Sequence, residues 1–169
     1  MDFISHYDSP LGGMTMASDD THLVGLWFDG QKHIASTLDE ERLERDDLPV
    51  FEETRRWLDL YFGGKIPDFT PAFFMRGSVF RRRVWKILLT IPYGQTMTYG
   101  EIARSIAKEK GLKSMSAQAI GGAVSHNPIS LIIPCHRVIG ADGSLTGYAG
   151  GIERKRWLIQ KEQGTGHKL

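Results

Sequence analysis

Along the first thirty residues apolar and polar positions alternate, and this period of two predicts short strands over residues 3–7, 14–17 and 23–28. Ser9-Pro10-Leu11-Gly12-Gly13 and Ser18-Asp19-Asp20 supply the turns between them. After an acidic, polar stretch over residues 38–48 the period changes. Phe51, Trp57, Leu58, Leu60, Tyr61 and Phe62 recur at helical spacing, and Gly63-Gly64 stops that helix. Residues 65–71 read as a linker, which separates a domain of residues 1–75 from one of residues 76–169. No internal repeat or low-complexity tract is visible.

The second part reads as mainly helical. Val79, Val84, Trp85, Ile87 and Leu88 make one apolar face, and Arg81, Arg82, Arg83 and Lys86 occupy the other. That helix ends before Pro92-Tyr93-Gly94. Thr98 and Glu101 then match a capping box, so a helix should begin at Tyr99 and bury Ile102, Ala103 and Ile106. A basic turn over residues 108–113 leads to a short helix over residues 116–125, which Asn127-Pro128 terminates. Two short helices joined in this way have the pattern of a helix-turn-helix. Gly121 and Gly122 inside the second helix each cost about 1 kcal/mol relative to alanine. Tight packing against a neighbouring helix is the simpler expectation for them, and close approach to a DNA groove is the alternative.

Composition changes this picture little. At 41% hydrophobic and 24% charged residues, the chain matches an ordinary soluble globular protein. No apolar run approaches the roughly 20 residues that span a bilayer, and the opening MDFISHYDSP lacks the basic and apolar segments of a secretory signal. One cysteine excludes an internal disulfide framework and a sulfur-rich zinc site, and it fits a reducing cytosol or nucleoplasm. Charge changes the picture more. Residues 1–76 carry 7 Lys+Arg against 15 Asp+Glu, whereas residues 77–169 carry 14 against 5. Either the second part meets a polyanion or the surface charges merely segregate, and charge alone does not choose between these.

The cysteine does. The apolar run Ile129-Ser130-Leu131-Ile132-Ile133 should be buried, and it delivers Pro134-Cys135-His136-Arg137-Val138. A buried cysteine is usually a small hydrophobe. Here His136 can accept its proton and Arg137 adds positive charge, as an activated thiol requires. On an extended strand adjacent side chains face opposite ways, so direct contact between Cys135 and His136 is not assured and a bridging water is one solution. Glu162 or another carboxylate could orient the imidazole.

The series Gly121-Gly122-Ala123, Asn127-Pro128, Ile132-Ile133-Pro134-Cys135-His136-Arg137-Val138 and Gly147-Tyr148-Ala149-Gly150-Gly151 resembles the signature of the O6-alkylguanine-DNA alkyltransferases. The resemblance is strong from about Phe80 to Glu162 and extends to the first part only in layout. It implies an α+β protein: a small ribonuclease-H-like α/β domain with a three-stranded antiparallel sheet, then a mostly helical domain with a winged helix-turn-helix. It implies direct-reversal DNA repair, in which one alkyl group passes irreversibly from O6-alkylguanine, and less readily from O4-alkylthymine, to Cys135. His136 is then a base acting through water, Glu162 holds it, and Asn127 is the hinge to the recognition helix. Tyr99 supports the extruded base and donates towards N3. Val138, Tyr148, Ala149 and Arg137 surround the base, with Arg137 in a structural capacity. Ser116, Gln118, Ala119, Gly122 and Ser125 face the DNA.

Gln118 stands where an arginine usually fills the gap left by the extruded base; glutamine can still hydrogen-bond the orphaned cytosine. No cofactor or metal is implied, and the zinc of some relatives should be absent. The expected partner is double-stranded DNA carrying O6-alkylguanine, bound through the minor groove by a monomer, with cooperative binding as an open option. No membrane is expected, and the expected location is cytoplasmic, at the nucleoid in a bacterium. Ala149, Gly150 and Gly151 hint that alkyl groups larger than methyl are tolerated.

Three rival readings fit less of the chain. A non-enzymatic binder of alkylated DNA replaces the cysteine, and a plain helix-turn-helix regulator leaves Pro134-Cys135-His136-Arg137 and Tyr148 without a purpose. A cysteine hydrolase needs an oxyanion hole and a turnover step for which no motif is present.

Overall fold

The computed structural model describes residues 1–164 and divides into two compact units, Met1–Arg76 with Pro128–Ile132, and Gly77–Asn127 with Ile133 onwards. The last five residues of the span 76–169 lie outside the described part.

In the first unit β1 (Asp2–Ser9), β2 (Gly12–Ser18) and β3 (Leu23–Phe28) form an antiparallel meander. The expected three-stranded sheet gains a fourth member, β4 (Arg42–Glu44), which pairs parallel to β1 and gives the order β3-β2-β1-β4. Every residue of β3 is buried, which fits its unbroken apolar run. Helix α1 (Pro49–Phe62) starts with Pro49, whose missing N–H costs nothing in the first turn, and buries Phe51, Trp57, Leu58 and Tyr61. Beyond the expected linker at residues 65–71 the chain returns to β3: the amides of Leu23 and Phe74 bond the carbonyls of Ala72 and Leu23. A buried carboxylate closes the unit. Asp2 is gripped by both Nη atoms of Arg76, at 2.7 and 2.9 Å, and by the Asp39 amide.

The run at residues 129–133 is buried as expected but is not a strand. Only Ile129 bridges β3, through Leu26. The Ile132 amide then bonds the Ser130 carbonyl around Leu131, whose φ is +71°. This is a γ-turn of the strained kind, which a leucine adopts at a cost of about 1–3 kcal/mol. An inverse γ-turn follows at Pro134, with φ −81° and ψ 64° and the Cys135 amide bonded to the Ile133 carbonyl.

The second unit comprises α2 (Val79–Leu88), β5 (Met97–Thr98), α3 (Tyr99–Lys110), α4 (Ala117–Ser125), β6 (Val138–Ile139) and α5 (Ile152–Gln163). Ser78 caps α2, and Thr98 with Glu101 forms the expected capping box of α3, which buries Ile102, Ala103 and Ile106. The basic stretch expected as a turn is partly helical, since α3 continues to Lys110 before Gly111 ends it in a left-handed conformation. Helices α3 and α4 form the helix-turn-helix, while β5 and β6 pair in parallel and lead into the loop before α5. Trp85 donates its indole N–H to the Ala123 carbonyl at 2.8 Å, which ties α2 to α4. Among the described residues no helix is long and apolar enough to cross a membrane.

Candidate active site

Cys135, the chain's sole cysteine, is buried and begins a single 3-10 turn, Cys135–Arg137. The turn replaces the extended geometry expected from the β-branched run, because the inverse γ-turn at Pro134 has already reversed the chain. Asn127, two residues past the end of α4, donates Nδ2–H to the Ile133 carbonyl at 2.7 Å, so the chain leaving the helix is pinned to the segment that carries the thiol. Burial pushes the Cys135 thiol up to about 11, against a hydrogen bond from Asn127 and the positive charge of Lys155, which pull it down. At neutral pH the resting group is therefore the thiol, and removing its proton requires a base.

His136 follows in the same turn and is fully buried. Its Nε2 lies 2.6 Å from Oε2 of Glu162. Burial alone would raise the Glu162 carboxyl, but His136 and Arg137 outweigh it and hold the group well below the usual carboxylate range. An ionised carboxylate only accepts, so Nε2 carries the hydrogen and Nδ1 holds the lone pair. Burial lowers the imidazole pKa despite the pull of Glu162, which keeps His136 neutral and able to accept a proton.

Arg137 meets Glu162 through Nε at 2.7 Å and Nη2 at 3.2 Å, and gives Nη1–H to the Ile91 carbonyl. Its guanidinium lies over the Tyr93 ring and is thereby committed to structure. The Gly94 amide adds a further donor to Glu162. Val138 is buried in β6, Tyr148 is buried, and Ala149 is half-buried. Burial raises the phenols of Tyr148 and Tyr99, that of Tyr99 to about 12, and the nearby Cys135 acts in the same sense. The Tyr99 hydroxyl donates to the Thr146 carbonyl at 2.7 Å.

On α4, Ser116 caps the helix by accepting from the Ala119 amide, and Gln118 and Ala119 are exposed. Ser125 turns its hydroxyl back to the Gly122 carbonyl. Tight packing does not explain the helix glycines: a Cβ built on Gly121 or Gly122 meets nothing within 4 Å. The expectation of a neighbouring helix pressed against them is thus corrected, and α4 presents a smooth, open patch there.

One residue of the cluster escapes a sequence reading. Lys155 is completely buried, gives Nζ–H to the Thr146 carbonyl at 2.9 Å, and lies over the Tyr99 ring. Burial pushes its ammonium down to about 8, with the Cys135 thiolate acting in the opposite sense. Lys155, Leu158 and Glu162 are the buried residues of α5, and their spacing of three and four puts them on one face. That spacing was the available signal. Among the described residues no group of three or more metal-ligating side chains exists.

Comparison with known proteins agrees with this geometry. The model of the ribonuclease-like domain of 6-O-methylguanine DNA methyltransferase matches residues 3–72, and that of its DNA-binding domain matches residues 79–164. The methylated-DNA–protein-cysteine methyltransferase of Mycobacterium bovis is 43% identical over 162 residues, 94% of this chain and 92% of the relative. The protein of that name from Methanosarcina acetivorans is 40% identical over 157 residues, covering 92% and 95%. The crystal structure of Mycobacterium tuberculosis OGT in complex with DNA is similar at a TM-score of 0.83 and 41% identity, over 96% of this chain and 94% of that one. With both of its parts matched and relatives of this similarity along nearly its whole length, the chain belongs to the 6-O-methylguanine DNA methyltransferase family.

Proposed function

We propose that this protein repairs DNA by direct reversal, taking the alkyl group from O6 of guanine onto Cys135 in a single, irreversible turnover. The observation that carries the reading is the single cysteine, buried in the same turn as an imidazole whose tautomer Glu162 fixes. The base must leave the duplex stack to meet a buried thiol, at a cost of a few kcal/mol that a poorly paired base reduces. His136 accepts the thiol proton at Nδ1, through water. The sulfur attacks the alkyl carbon, the S–C bond forms, and the C–O6 bond breaks with its electron pair passing to guanine. Tyr99 donates towards N3 and so stabilises the departing guanine, as an oxyanion hole does for its intermediate. The thioether has no easy leaving path, so each molecule acts once.

Asn127 acts as the hinge that couples α4 to the thiol, supported by its bond to the Ile133 carbonyl. Val138, Tyr148 and Ala149 line the base pocket, with Arg137 as scaffold for Glu162. Ser116, Gln118, Ala119, Gly122 and Ser125 form the DNA face, supported by the open patch at Gly121 and Gly122. Gln118 enters the gap beside the orphaned cytosine. The protein binds double-stranded DNA as a monomer through the minor groove, acts in the cytoplasm, and takes O4-alkylthymine less readily. Residues 1–75 serve as a stabilising domain and residues 76–169 carry DNA binding and chemistry; the acidic balance of the first part and the placement of Cys135, His136 and Glu162 in the second support that division.

The test is intact-mass analysis with peptide mapping after mixing with a duplex that holds one O6-methylguanine. One added methylene on the Cys135 peptide, saturating at one per protein, is expected. Tight binding without a mass change would replace the reading by a non-enzymatic damage sensor.

A further inference from the structure

Two donors in the second unit converge on one atom. The Tyr99 hydroxyl and the Lys155 ammonium both bond the Thr146 carbonyl oxygen, at 2.7 and 2.9 Å. The next residue, Gly147, has φ +80°, and a Cβ there would lie 2.5 Å from the Tyr99 hydroxyl. The backbone of the loop over residues 140–151 therefore rests directly on that hydroxyl. Lys155 is fully buried, and among the described residues no carboxylate pairs with it. A buried lysine without an acid partner is costly, so its position calls for a use.

A hydroxyl has one proton to donate. If Tyr99 gives it to N3 of guanine, as the proposed function has it, Thr146 loses that bond at the moment the base arrives. The loop carries Tyr148 and Ala149, which are assigned to the base pocket, and it would be released just when it must stay closed. A second donor on the same oxygen removes this conflict.

We propose that Lys155 is a positioning residue that holds the Thr146 carbonyl while Tyr99 transfers its hydrogen bond from the loop to the substrate. The inference rests on Tyr99 as the N3 donor. Lys155 touches neither base nor sulfur in this role; it acts through the loop.

Hydrogen exchange of the peptide over residues 138–151 tests it in the full chain, compared among wild type, Tyr99→Phe, Lys155→Met and the double variant. Without DNA each single change leaves one donor in place, so exchange should stay within about threefold of wild type, while the double variant should exchange at least about tenfold faster, the order of effect expected for losing a charge-assisted bond. With an O6-methylguanine duplex, in a Cys135→Ala background so that the base persists, Lys155→Met alone should release the loop and Tyr99→Phe should not. In single-turnover transfer Lys155→Met should be at least about tenfold slower, and Lys155→Arg, which keeps a charged donor, should recover most of the rate. Double-variant exchange no faster than that of the faster single variant would overturn the shared tether. Equal exchange of the DNA complexes with and without Lys155→Met would overturn the handover. If the tether behaves as expected but Tyr99→Phe transfers at the wild-type rate, the N3 assignment fails and the pair is a static clasp.

Discussion

The two units each bury charge, and they do so in opposite ways. In the first, Asp2 is matched by a bidentate Arg76 and a backbone amide, and the hydrogen bond from Arg76 holds its carboxyl below the ordinary value. Both Asp2 oxygens accept from Arg76, and Nη1 also gives to the Thr37 carbonyl. In the second, Glu162 is equally well served, but its partners are an imidazole and the scaffold arginine. On the same helix face stands a lysine that meets a carbonyl oxygen and a tyrosine ring but, among the described residues, no carboxylate. A matched pair fixes a fold. A charge buried at a loss marks a place where the chain does something besides fold.

Several measurements can break or sharpen that contrast. The largest effect belongs to Cys135→Ala, which should abolish transfer while keeping affinity for alkylated DNA, as read by mass and by equilibrium binding. Glu162→Gln should slow transfer by about a hundredfold or more, the scale of general-base catalysis, since it removes the acceptor that fixes the His136 tautomer. Asp2→Asn should do the reverse, costing about 3–5 kcal/mol in denaturant unfolding while transfer per folded molecule is unchanged. Because the Asp2 pKa is depressed on folding, its contribution is present above the unfolded value near 3.8 and fades as pH falls through the folded one.

Lys155→Met should slow transfer yet raise stability at neutral pH by about 3 kcal/mol, the equivalent of the drop from 10.5 to about 8. The sign follows from linkage: below pH 8 the lysine is charged in both states and is penalised only when folded. The penalty disappears between pH 8 and 10.5, so unfolding curves of variant and wild type should converge across that window. Gln118→Ala should slow repair of duplex more than reaction with the free base, and equal slowing would remove Gln118 from the gap-filling role. The smallest effect is that of Gly121→Ala, which should stabilise α4 by up to about 1 kcal/mol, since its Cβ enters open space, and weaken DNA binding if the patch must approach a groove.

Local chemistry was legible in the sequence where a few neighbouring residues decide the outcome. The Thr98–Glu101 capping box is one such case, and the Asn127-Pro128 stop is another, because caps and proline act within a single turn. The approach to Cys135 was not. An apolar β-branched run satisfies the pattern of a buried strand, whereas its path depends on γ-turns at Leu131 and Pro134 that only tertiary contacts enforce on a leucine. Strand β4 was invisible because Arg42, Leu43 and Glu44 are all exposed and carry no periodicity. Lys155 was missed because lysine on a charged helix normally marks the solvated face, and only its register with Leu158 and Glu162 says otherwise.

The raised thiol has a meaning beyond the moment of reaction. A catalyst that turns over can tolerate losing some copies, but a molecule that reacts once is a stored reagent. Left ionised, its sulfur would meet oxidants and stray electrophiles long before it met damaged DNA. Burial that keeps Cys135 protonated to about pH 11 gives the reagent a shelf life.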